Sequence, residues 1–144
     1  MRRRQGFCWN PGRLRVHLGC ALSRQCSVDV VIVNGRVEHA PRNARVRVQL
    51  VYPKQEKGEL GETTLEGSSF RMRISFLTQS NRPLLTNLPA KCHRKPETVV
   101  VTLVEGDQEY NQVSLKLARD FKLADSSAYA PRSEIVLHGP PNAP

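Results

Sequence analysis

The stretch SSFRMRISF, residues 68–76, sets Phe70, Met72, Ile74 and Phe76 against Arg71, Arg73 and Ser75 in strict alternation. Successive side chains of an extended strand point to opposite faces, so a period of two separates a buried face from a wet one. The same period recurs along the chain. ARVRVQLV (44–51) turns Ala44, Val46, Val48 and Leu50 one way and Arg45, Arg47 and Gln49 the other. SVDVVIVNGRVEH (27–39) carries Val28, Val30 and Ile32 on one face and Val31 and Val33 on the opposite one, the mark of a strand covered on both sides. Asn34-Gly35 is expected to interrupt it with a bulge or tight turn.

Further strands are expected at 98–104 and, across an Glu105-Gly106-Asp107-Gln108 turn, at 109–121 with Val113, Leu115 and Leu117 inward. A closing strand follows at 133–139, and a short one is placed at Glu62–Leu65. Residues 52–61 and 122–132 read as loops. Residues 78–97, with three prolines, read as a long connection holding at most one helical turn near Leu84–Leu88. No long amphipathic helix, heptad or repeat is present. The expected fold is all-β: a single antiparallel sandwich of about seven strands over residues 26–139. Residues 1–25 are expected to form a disordered or irregular basic arm, or a mis-assigned leader, and the proline-rich 140–144 a disordered tail.

The chain has 144 residues and a formal net charge of +9. The excess is concentrated. Residues 1–25 hold six arginines and no acid, whereas the remainder mixes 16 basic with 13 acidic residues. Such a remainder describes an ordinary solvated surface rather than a basic domain. There is no apolar run long enough for a membrane-spanning helix. The N-terminal segment has the charged start of a signal peptide but not its apolar stretch, which a histidine breaks.

Chemistry leaves little trace. The chain has no G-x-S-x-G elbow, phosphate loop, dinucleotide fingerprint or H-E-x-x-H. His17, His39, His93 and His138 are scattered, and none has a carboxylate at a spacing that would orient it. Cys8, Cys20, Cys26 and Cys92 include no C-x-x-C, and Cys92-His93 are adjacent, which is poor geometry for one metal ion. Tyr110, Tyr129 and Asp120 are expected to anchor loops. The chain is therefore expected not to be an enzyme, and to need no cofactor or metal. Arg45, Arg47, Arg71 and Arg73 are the candidate binding residues. If their two strands were neighbours in one sheet, the four guanidiniums would cluster. Glu62 and Glu66 are the acids close enough in sequence to neutralise them, and the plainer alternative is four solvated strand arginines guarding against edge pairing.

Residues 28–76 read V-x-V-x-N-G-R-V … A-x-V-x-V-x-L … G-E-T-T-x-x-G-x-x-F-x-M-x-I-x-F. This resembles the prealbumin-type sandwich of transthyretin-like, Ole e 1-like and carboxypeptidase regulatory-like domains, through Val33 to Val37, Ala44 to Leu50, Thr64, Gly67 and Phe70. The resemblance implies an extracellular module that binds proteins, glycans or small ligands. The closing HGPPNAP lacks the Tyr-Arg-Gly-Ser of the family's hydrolase branch, so that activity is not carried over. Similarity to the secreted members also sharpens a disulfide between Cys26 and Cys92, which would tie the long connection to the first strand. Two buried free thiols are the alternative, and Cys8 and Cys20 are left unassigned. The function expected is thus a secreted, non-catalytic β-sandwich recognising a protein or cell-wall component. Its rival is an intracellular nucleic-acid or other polyanion binder that uses the arginine arm and the arginine strand face.

Overall fold

The structure is a computed structural model of the chain, and residues 26–79 and 95–141 are described in it. The expected basic arm, Cys8, Cys20, Cys92, most of the long connection and the last three residues lie outside them. The chain divides into two compact units. The larger, residues 29–76 and 95–144, holds the architecture set out below. Of the smaller unit, only the first three residues of one strand and the last three of another are described.

The described residues form nine strands, a 3₁₀ turn at Pro53–Gln55 and one α-helical turn. They are β1 (Cys26–Glu38), β2 (Arg45–Tyr52), β3 (Glu56–Thr64), β4 (Ser69–Gln79), β5 (Thr98–Glu105), β6 (Gln108–Lys116), α1 (Leu117–Asp120), β7 (Phe121–Leu123), β8 (Ala128–Pro131) and β9 (Ile135–His138). Two sheets result, in the orders β4-β1-β8-β7, with β9 also on β1, and β3-β2-β5-β6. The all-β sandwich expected from the alternation is present.

The second sheet is antiparallel throughout, with Val46 opposite Leu103, Val48 opposite Val101 and Leu50 opposite Val99. All six side chains are fully buried. Each such burial is worth about 1.5–3 kcal/mol, so β2 and β5 commit their inward faces firmly. The first sheet contributes Val31, Val33 and Val37 from β1, Phe70, Ile74 and Phe76 from β4, and Ile135 and Leu137 from β9. Phe76 packs against Tyr129 with ring centroids 6.3 Å apart, within the range of favourable tilted aromatic pairs.

Several expectations are corrected. Residues 56–61 are strand rather than loop and run on into the short strand expected from Glu62, because β2 supplies a partner along nearly the whole of 56–64. Residues 128–131 are strand for the same reason, and the expected strand at 109–121 stops at Lys116. There Leu117–Asp120 makes one helical turn, and the Asp120 carboxylate accepts the Lys116 backbone N–H at 2.8 Å. Within the sandwich β1 departs from antiparallel pairing: it runs parallel to β8 and to β9.

Asn34-Gly35 does not interrupt β1. Gly35 lies opposite Ile135, and a Cβ on it would stand 1.9 Å from the Ile135 carbonyl oxygen. The glycine marks a close backbone approach, not a turn. Replacing Gly35 by alanine is expected to drive β9 off β1 and cost about 3 kcal/mol. Urea unfolding measures the loss, and hydrogen exchange at Ile135 to His138 locates it.

Candidate binding surface

The four candidate arginines do not meet. Arg45 and Arg47 lie on β2 in one sheet, and Arg71 and Arg73 lie on β4 in the other. The neighbouring strands required for a four-guanidinium cluster are therefore absent, and each pair has its own environment.

On β2 the alternation turns Arg45 and Arg47 outward, beside Val104 and Thr102 of β5. Glu62, opposite Arg47 on β3, accepts Arg45 Nε at 2.9 Å and Arg47 Nε at 3.2 Å. Glu109 on β6 accepts Arg47 Nη1 at 3.2 Å. The hydrogen bonds from Arg45 and then Arg47 hold the Glu62 carboxyl below the usual carboxylate range, against the opposing effect of desolvation. Of the two acids expected near these arginines, Glu62 is the neutralising one. Glu66 instead closes the turn before β4, with backbone bonds to Ser69 in both directions.

The same bridges have a packing consequence. Val104 and Thr102 are on the outward side of the sheet yet only 1% and 5% exposed. Their register places them beside Arg45 and Arg47, whose heads are held by Glu62 of β3 and Glu109 of β6, a position in which arginine stems cover apolar surface.

On β4, Arg71 and Arg73 are both exposed, and among the described residues neither has an ion-pair or hydrogen-bond partner. They stand two residues apart on the outward face of a strand that ends its sheet. The other face of that strand is anchored in the core by Phe70, Ile74 and Phe76. Half-buried Met72 lies against Gly61 of β3, where a Cβ would come within 2.6 Å of its Cε. The backbone carrying the two guanidiniums is thus held in place from beneath.

The remaining polar groups are structural. His138 caps β9, and its Nδ1 lies 3.2 Å from Glu38 Oε1. This corrects the expectation that no histidine has an orienting carboxylate. Parallel pairing of Glu38 with His138 across 100 residues of chain brings the two together, which no local spacing reveals. Arg36 donates to the same Glu38 and to Glu134, and its hydrogen bond is the main cause of a lowered Glu38 pKa. Tyr110 donates to Glu105 across its hairpin at 2.8 Å, and Asp120 holds α1, both as anchoring groups. Tyr129 is part of the core and also anchors a loop: the Lys95 ammonium donates a hydrogen bond to its side chain and lies 5.5 Å from the ring centroid. Cys26 carries no free thiol. Its expected partner Cys92 lies outside the described residues.

A recess of about 770 Å³ opens where the 39–44 and 65–68 turns meet. His39, Asn43, Arg45, Thr64 and Ser68 line it above Val37 and Ala44. Its arginine, Arg45, is already committed to Glu62. Among the described residues no three His, Cys, Asp or Glu side chains converge to hold a metal, and no helix is long and apolar enough to cross a membrane. Comparison of the chain with family models, with curated proteins and with solved structures finds no match.

Replacing Glu62 by glutamine is expected to cost less than about 1 kcal/mol, as for other surface ion pairs. Its pH signature is more telling. A carboxyl whose pKa is lowered on folding contributes stability above its unfolded value of about 4.3, and loses it as pH falls through the folded one. Urea unfolding across that acid range should show a shallower fall for E62Q than for the parent.

Proposed function

We propose that this protein is a small secreted, non-catalytic β-sandwich that recognises an acidic surface on a protein or cell-wall component. The observation that carries this is the division among its outward arginines. Arg45 and Arg47 are neutralised and spread over the sheet, whereas Arg71 and Arg73 are held outward with no carboxylate beside them among the described residues. Two unpaired cations on a rigid strand are ready to make charge-assisted contacts without first breaking internal ones.

The lack of a free thiol at Cys26 supports an oxidising compartment. A Cys26–Cys92 bridge, and the prealbumin-type likeness through Thr64, Gly67 and Phe70, belong to the same proposal. The rival polyanion-binding reading also rests on the arginine arm, which lies outside the described residues; of its four strand arginines, Arg45 and Arg47 are internally neutralised.

Binding of acidic polysaccharides and acidic proteins by titration calorimetry tests this. An R71E/R73E double variant is expected to lose at least about tenfold in affinity, roughly 1.4 kcal/mol. An R45Q/R47Q variant should stay within about twofold, well inside the same tenfold scale. Equal binding by R71E/R73E and the parent overturns the proposal. Retention by R71E/R73E with loss by R45Q/R47Q would return the site to β2.

A further inference from the structure

We infer that β4 is a strand-addition site: the edge that no described strand covers takes an extended segment of another protein whose outward side chains are acidic at every second position and whose inward ones are apolar. This rests on the proposed role of Arg71 and Arg73 and names the partner class and the mode of binding.

β4 is 11 residues long, and among the described residues it pairs on one side only, with β1. A strand at the end of a sheet leaves every second backbone N–H and C=O unpaired, a ready template for another strand. Natural sheets usually shorten or distort such edges. Other ends of these two sheets follow that practice. β7 has three residues, and β9 has four. The β2–β3 ladder is broken by a register shift, and β3 carries Gly58 and Gly61. The β5–β6 ladder also shifts, and Asn111 of β6 accepts the His138 backbone N–H of β9. β4 is long, and between Phe70 and Phe76 its inward residues pin it to the core.

Its charges select the occupant. In an antiparallel pair of two copies centred on Met72, Arg71 of each would lie opposite Arg73 of the other, and like charges directly opposite destabilise a sheet. An incoming strand with carboxylates at those positions gains the same two pairs as attractive ones. Arginine on this edge therefore excludes a second copy and admits an acidic stranger. On the other face the added strand continues the layer formed by Met72 and Ile74, of which Met72 is only half-buried, so apolar side chains there gain cover.

The probe is a synthetic peptide alternating Glu with Val, compared with the same peptide N-methylated at alternate residues and with an acidic polysaccharide. Fluorescence anisotropy on the full oxidised chain reads affinity, and hydrogen exchange reads β4. The expected result is binding of the plain peptide, at least tenfold weaker binding of the N-methylated one, and slowed exchange at Arg71 to Ser75. In R71E/R73E, affinity for the Glu peptide should fall tenfold or more, and a Lys-Val peptide should bind in its place. Equal affinity for the plain and N-methylated peptides, or unchanged exchange on β4, overturns strand addition while leaving recognition of acidic surfaces intact. Binding of none of the acidic probes overturns both. Self-association of the chain that protects the same amides makes a second copy the occupant and overturns the acidic partner.

Discussion

β1 is the strand on which the first sheet hangs, and it can serve because the chain has no side chain at position 35. β4 pairs with one edge of β1, and β8 and β9 share the other, with β8 at Val30 and Val31 and β9 from Gly35 to Glu38. The handover brings Ile135 so close that its carbonyl oxygen occupies the space a Cβ would need. Without that approach, Ile135 and Leu137 would not reach the core they share with Val33 and Val37. The inward face of β4 packs on the same layer, so the frame that presents Arg71 and Arg73 depends on a contact made on the other side of β1.

The two pairs of arginines show that an alternating pattern fixes direction and not role. Both pairs point outward because their neighbours are needed inward. Arg45 and Arg47 then meet Glu62 of β3, Arg47 also reaches Glu109 of β6 across β5, and what they contribute is mainly cover. Exposed ion pairs are worth little, between about zero and 1 kcal/mol each. Removing the apolar part of Val104 and the methyl of Thr102 from water is of comparable or larger value at about 25 cal/mol per Å². On β4 no described strand lies on the side away from β1 to supply an acid. The difference between a structural and an available arginine is thus a matter of place in the sheet, centre or edge.

That distinction also marks how far the sequence could be read. The period of two in 44–51 and 70–76, and the two-sided apolar runs in 28–33 and 99–104, disclose strands, inward residues and the sandwich itself. Residues 56–61 looked like loop because Gly58 and Gly61 and the charged Lys57 and Glu59 hide any alternation. Their strand comes from a partner, not from their own propensity. Asn34-Gly35 carries a turn signal that the close approach of β9 overrides. The segment 128–131 is too short to show a period. Sheet membership is a long-range property, so neither the separation of the two arginine pairs nor the meeting of Glu38 with His138 could be found from spacing. Glu62 was visible as a neutralising acid because the β2–β3 connection is local.

A strand that carries two charges also sets a distance. Residues two apart on an extended chain lie about 7 Å from each other on one face. With β4 pinned from below, Arg71 and Arg73 therefore measure a fixed interval rather than a mean charge density. An extended peptide with carboxylates at alternate residues has the same interval by construction, because it is built on the same backbone repeat. A polymer whose charges are spaced by another repeat would match one guanidinium at a time and would have to bend to satisfy both. The backbone edge adds a second criterion that a polysaccharide cannot meet, since it has no run of amide N–H and C=O groups to complete the ladder. On the proposed reading, charge alone would admit many acidic partners, but spacing and main-chain pairing together select one conformation of one polymer, the acidic polypeptide strand.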